Sequence, residues 1–162
     1  MAAHLEHQLE MAQQITHIGS WEWNPVTQAV TWSDELYRIY GLEPRSEEIS
    51  FQSFLAKVHP DDRARIQAEV GRALEGEGHF SYKERVLRPD GSVRNLQTVG
   101  EVARDAQGNV IALIGTCRDV TDEVRAQRLK GAETRVLEMV AAGAPLADVL
   151  ATIILAIEEQ MP

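Results

Sequence analysis

The sequence predicts an α+β domain: one five-stranded antiparallel sheet with helices on one face, flanked by N-terminal and C-terminal helices. Three observations predict it. From residue 79 the pattern has period two, with Phe80, Tyr82, Glu84 and Val86 on one face and Ser81, Lys83, Arg85 and Leu87 on the other. Asp90-Gly91 supplies a positive-φ turn and 105–109 a second, so 93–103 and 110–120 read as two further antiparallel strands. Upstream, 20–23 and 29–32 are short aromatic strands, and the sequence between them and residue 79 has helical period. Helices inserted between the second and third strands of such a sheet must cover one of its faces.

Taken in order, residues 4–17 read as a helix with Leu5, Leu9, Ala12 and Thr16 in a narrow seam, stopped by Gly19. Asn24-Pro25 turns the chain between the aromatic strands. Ser33-Asp34 can cap a short helix bearing Leu36, Tyr37, Ile39 and Tyr40, which Gly41 ends. Ser50 can cap the next, with Phe51, Phe54, Leu55 and Val58 at helical spacing. Pro60 disfavours a helical His59, and Asp61-Asp62 then open a helix through Ile66, Val70, Ala73 and Leu74, placing negative charge at its positive end. After the three long strands a helix follows, in which Leu129, Ala132, Val136, Met139 and Gly143 keep heptad spacing. Ala144-Pro145 breaks it. Leu146, Val149, Leu150, Ile153, Ile154, Ile157 and Met161 then form a broad apolar stripe that needs covering.

Composition bounds the function. The chain has 162 residues, enough for one full core and a helical extension. Its net charge is −9 and no Lys/Arg stripe forms, which argues against nucleic acid as a partner. The single cysteine, Cys117, excludes an internal disulfide or a cysteine metal cluster and reads as a buried, inert thiol. No run approaches the ~18 apolar residues that span a bilayer, so no membrane contact is expected. The N-terminus lacks a secretion pattern, and the expected location is cytoplasmic. His59 with Asp61-Asp62 is explained by a helix start, and His4 and His7 as surface residues, so neither a catalytic nor a metal site is expected.

GSWEWNPVTQAVTWS (19–33), HPDD (59–62), RPDGS (88–92) and GTCRDVT (115–121) occur in the order of a PAS domain. The run 15–121 resembles the PAS fold, in particular the subclass with the HPDD and RPDGS signatures. That resemblance implies a domain that senses or relays a signal and does not catalyse. Flavin-type light sensors of the superfamily carry Asn-Cys-Arg-Phe-Leu-Gln on the helix where this chain has FQSFLAKVHP (51–60), which has no cysteine. Haem-binding relatives place an axial His on the helix corresponding to 61–75, where this chain has none, and His79 begins the following strand. No cofactor is therefore expected, neither haem nor flavin.

The PAS cavity lies between the concave sheet face and the helices. Trp32, Tyr37, Phe54, Tyr82, Glu84, Asn95 and Gln97 are candidates to line it and to meet a small-molecule ligand. Relatives often have Tyr at the position of Glu84 and Trp at that of Asn95. The alternative, in which these residues face solvent or are satisfied locally, stays open; a buried ionised Glu84 would need a partner such as an Arg. Trp21 and Trp23 share one face of their strand and read as core and sheet packing.

Asp119-Val120-Thr121 matches the D-(I/V)-T end of the last PAS strand and is the expected signal exit. Thr121 or Asp122 can cap the output helix, while Asp119 can fix its exit angle by pairing with a nearby basic group or backbone donor. Leu5, Leu9, Ala12, Leu129, Ala132, Val136 and Met139 are the expected seam of a homodimer formed through the flanking helices. The expected organisation is an N-terminal helix over 1–17, a PAS domain over 18–121, a signalling helix over 122–143 and, over 144–162, the start of a downstream domain, which resembles the first helix of a GAF domain. The whole reads as a sensory relay module for an effector in the same polypeptide, of histidine kinase or diguanylate cyclase type, and as no enzyme by itself. The alternative is a small-molecule or cofactor receptor.

Overall fold

The computed structural model describes residues 2–158. The chain forms two compact units, one up to Asp119 and one from Val120 onward. In the first, α1 (Ala2–Thr16) leads into β1 (Ile18–Trp23) and β2 (Val30–Trp32). Then come α2 (Asp34–Ile39), α3 (Phe51–Lys57) and α4 (Pro60–Arg72), the last ending in a widened turn over Ala73–Glu77. β3 (His79–Leu87), β4 (Val93–Arg104) and β5 (Val110–Asp119) complete a five-stranded antiparallel sheet of order β2-β1-β5-β4-β3.

The local chemistry is the one the sequence encodes. Oδ1 of Asn24 accepts from the backbone N–H of Val26 and of Thr27, closing the turn before β2. The Ser33 hydroxyl accepts from Leu36 N–H at the start of α2. Ser50 and Ser53 cap α3 reciprocally, at 3.0 and 2.8 Å. In the β3–β4 turn Asp90 Oδ1 accepts from Ser92 N–H and Gly91 takes φ 83°.

One boundary differs from expectation. Gly19 does not stop α1. His17, at φ 52°, turns the chain, and Gly19 already lies inside β1. Its role is contact: a Cβ there would come within 2.6 Å of the Leu36 Cβ, so glycine lets α2 lie directly on β1.

Alternation along β3 is complete. Phe80, Tyr82, Glu84 and Val86 are buried, and their neighbours are exposed or half-buried. The core has two parts on the same sheet face. Around α2, Leu36, Tyr40 and Ile39 pack with Trp32, Val86 and Leu96. Around α3 and α4, Leu55, Ile66 and Val70 pack with Phe80, Tyr82 and Leu113.

The second unit is a helical hairpin of α5 (Thr121–Ala141) and α6 (Leu146–Glu158), turned by Gly143 at φ 71°. Of the apolar stripe on α6, Val149 is buried, whereas Leu146, Leu150, Ile153, Ile154 and Ile157 are exposed. Met161 lies outside the described residues.

Candidate functional site

Register decides which side chains meet beneath the helices. Across the β3–β4 hairpin Glu84 pairs with Leu96, Tyr82 with Thr98 and Phe80 with Gly100, and β5 brings Cys117 opposite Thr98. A Cβ at Gly100 would come within 2.5 Å of the Phe80 ring, so glycine lets that ring lie flat on the sheet. Between this face and the helices remains a cavity of about 50 Å³, room for a few water-sized groups. Eight of the chain's nine aromatic side chains line it. Trp23 stacks on Phe51 at 4.7 Å, and Trp32 meets Tyr40 at 4.5 Å.

Glu84 is the cavity's charged group, 3% exposed. Its Oε1 accepts from the Thr98 hydroxyl at 3.0 Å, with the Tyr40 hydroxyl at 3.5 Å; its Oε2 has no hydrogen-bond partner. Burial pushes the Glu84 carboxyl up to about 7, against the pull of the Thr98 and Tyr40 hydrogen bonds. Burial, followed by the neighbouring Glu84, raises the Tyr40 and Tyr82 hydroxyls and the Cys117 thiol well above their ordinary values. The Trp23 indole Nε1 is also buried without an acceptor. An Arg partner, required if Glu84 is ionised, is not found among the described residues: the neighbouring Arg85 alternates to the other face of β3 and binds Asp62.

Of the seven residues expected at the cavity, Trp32, Phe54, Tyr82 and Glu84 line it. Tyr37 does not; it packs edge-on against Trp32 in the core and donates its hydroxyl to the Glu47 carbonyl at 2.9 Å. Asn95 and Gln97 lie on the opposite sheet face, because Asn95 pairs with the outward Arg85, and Gln97 Nε2 donates to the outward Ser81 hydroxyl at 2.8 Å. Thr98, Tyr40, Cys117 and Trp23 occupy the cavity wall instead. Strand parity carries the signal that finds Thr98: counting back across the Asp90-Gly91 turn from Glu84 makes even-numbered residues of β4 inward.

At the end of β5, Asp119 lies 3.8 Å from Arg94 Nη1 and 4.0 Å from Arg88 Nη2. Arg88, from RPDGS, also donates through Nε and Nη2 to the Ile39 carbonyl at the end of α2, at 2.9 and 2.6 Å. Partial burial and the neighbouring Arg94 lower the Arg88 guanidinium from its ordinary value. One guanidinium thus joins α2, the β3–β4 turn and the end of β5. The expected cap at Thr121 or Asp122 is corrected: Val120, without a side-chain oxygen, is the N-cap, and Thr121 is the first residue of α5.

The HPDD run is structural. His59 caps α4 with Pro60 in its first turn, and Asp62 accepts from Arg85 N, Nε and Nη2 at 2.9–3.0 Å. Arg85 holds the Asp62 carboxyl down to about 2. Among the described residues no cluster of His, Cys, Asp and Glu could hold a metal. His79 is exposed and lies 3.6 Å from Glu101.

Of the expected dimer seam, Leu5, Leu9, Ala12 and Leu129 are exposed. Ala132, Val136 and Met139 are half-buried, and the Thr152 hydroxyl of α6 donates to Met139 Sδ at 3.4 Å. That face of α5 is thus partly occupied within its own hairpin.

A five-stranded antiparallel sheet with helices inserted over one face, and a small aromatic-walled cavity between them, is the architecture of the domain. The chain belongs to the PAS family: residues 29–117 match the family model described as the PAS fold. Its sequence is 35% identical over 106 residues to the methyl sulfide methyltransferase-associated sensor of Methanosarcina acetivorans, covering 65% of this chain and 11% of that protein. Its structure is similar to that of a sensory box histidine kinase/response regulator from Burkholderia thailandensis, with TM-score 0.64, 31% identity and coverage of 79% of this chain and 98% of the other. It is also similar to the N-terminal domain of a diguanylate cyclase with PAS/PAC sensor from Marinobacter aquaeolei, with TM-score 0.60, 26% identity and coverage of 65% and 97%. The chain spans 11% to 21% of the length of the first curated relatives it matches. Among the described residues no helix is long and apolar enough to cross a membrane.

Proposed function

We propose that this chain is a cytoplasmic sensory relay module that dimerises and passes a signal from its sheet through α5 to an effector domain in the same polypeptide, of histidine kinase or diguanylate cyclase type. The observation that carries this reading is the Arg88 junction. Asp119, at the last position of β5, shares Arg88 with the carbonyl that ends α2. A change in the helices over the cavity is therefore felt at the residue from which the chain enters α5. Such a junction has the makings of a two-state element, because one side chain holds both contacts and a shift of α2 would alter its reach to Asp119. The test is Asp119→Ala in the full-length parent. Effector output should change while the domain's far-UV circular dichroism stays native, and unchanged output would remove the exit from the mechanism.

A second reading, that the domain is a small-molecule receptor, is favoured by the cavity itself. A buried carboxylate oxygen on the wall of an aromatic space, with no protein partner among the described residues, favours an occupant that donates to it. The occupant we propose is smaller than haem or flavin, because about 50 Å³ admits neither. A visible absorption spectrum of the purified protein should be flat, and a Soret or flavin band would sink this reading of the occupant.

A further inference from the structure

One orphaned polar atom belongs to a residue of the cavity's wall. Glu84 offers an acceptor, Oε2, which is buried and has no hydrogen-bond partner among the described residues. Burying it without a hydrogen bond is costly, so a group that donates to it is favoured. Charge narrows the choice further. No Lys or Arg forms an ion pair with Glu84 among the described residues, while the nearby Arg85 is committed to Asp62. Other acidic positions of this domain have basic partners: Asp62 has Arg85, Glu35 has Arg38 and Asp119 has Arg94. Around Glu84 the fold provides aromatic rings instead, Trp32, Tyr40 and Tyr82 among them. Aromatic faces attract cations, more strongly once the cation is desolvated.

Resting on the receptor reading, we propose that the cavity takes a small organic ammonium ion, whose N–H donates to Glu84 Oε2. The ligand supplies the counter-charge that the protein omits. An anion is disfavoured by Glu84, and an uncharged alcohol can hydrogen-bond the carboxylate but gains neither ion pairing with it nor the attraction of the ring faces for a cation. The size allowed is that of ethanolamine, a few non-hydrogen atoms for about 50 Å³. Protons compete with the ligand at Glu84, since burial has already raised that carboxyl to about 7. The groups facing it are Tyr40 from α2, Tyr82 from β3 and Cys117 from β5, all pushed well above their ordinary values and neutral here, with Arg65 and Asp62 acting from α4.

All three indoles line the cavity, so their Nε1–H resonances report its occupancy. Ethanolamine, ethanol and acetate are titrated separately into the whole chain while these resonances are followed. Ethanolamine should shift them saturably, ethanol and acetate should not, and ethanolamine affinity should fall as pH drops below about 7. Glu84→Gln, which keeps the shape and the Thr98 hydrogen bond, should weaken ethanolamine about thirtyfold or more, as when one partner of a desolvated charged pair is lost. Unperturbed circular dichroism must accompany that loss; if the variant does not fold, the pH dependence of the unaltered chain decides. Ethanol or acetate binding as tightly as ethanolamine, or ethanolamine affinity indifferent to pH, overturns the ammonium assignment and leaves a receptor of another chemistry. No saturable shift with any of the probes overturns both the assignment and the receptor reading.

Discussion

Glu84 carries a carboxyl that the fold keeps neutral more readily than water does. Its ordinary value is 4.5 and burial raises it to about 7, so between these values the folded state binds a proton that the unfolded chain has released. Stability therefore declines as pH rises through this window and levels off above about 7, the opposite of the usual salt-bridged carboxylate. The full effect is on the order of 3 kcal/mol. Urea unfolding of the ligand-free chain at several pH values should show the decline. Glu84→Gln should flatten it and leave the variant the more stable protein at high pH. A wild-type stability that is level across this window would mean that the carboxylate is solvated or paired in solution.

At the scale of elements, the sheet and α4 are joined by Asp62. Its carboxylate takes three hydrogen bonds from Arg85, one of them from the backbone N–H of β3, while His59 N–H donates to the Arg85 carbonyl at 2.8 Å. The Asp62 carboxyl, held down to about 2, contributes stability that is complete above its ordinary value of 3.8 and is lost as pH falls through about 2. Asp62→Asn should lower the unfolding free energy by about 2 kcal/mol near neutral pH, read by urea denaturation. A change below a few tenths would show the pair to be ornamental. The elements themselves were legible in the sequence because their signals are local. Ser33, Ser50, Asn24 and Asp90 act on backbone groups within a few residues, and strand alternation from Phe80 to Val86 needs no partner to be seen. The site was half legible. Trp32, Phe54, Tyr82 and Glu84 follow from parity and layer, whereas Asn95 and Gln97 were misplaced by one step of parity, a slip that sends every side chain of a strand to the other face. Tyr40 and Trp23 depend on how α2 and α3 sit over the sheet, which no local pattern encodes. Gly19 misled for a related reason: contact with Leu36, not a helix end, requires it.

For the whole molecule the question is what covers its apolar surface. Leu5 and Leu9 on α1 are 68% and 60% exposed, and Leu129 on α5 is 54% exposed. On the outer sheet face Val99, Ile111 and Ile114 are each close to half exposed. Apolar side chains gathered on flanking helices and one sheet face are the usual mark of an association surface, and the proposed homodimer is the partner that also gives α5 a route to an effector. Met139 already touches Thr152 within its own hairpin, so pairing through α5 would draw on its exposed side, where Leu129 lies, and pairing through α1 on Leu5 and Leu9. Light scattering on the purified chain at tens of micromolar should therefore give the mass of a dimer. Leu5→Glu combined with Leu129→Glu places a charge at two exposed positions, so it should leave the circular dichroism and the unfolding midpoint nearly unchanged while shifting the mass to that of a monomer. A wild-type monomer at that concentration would remove dimerisation from the relay. A double variant that stays dimeric would move the interface to the outer face of the sheet, and Ile114→Glu would then be the substitution that separates the protomers.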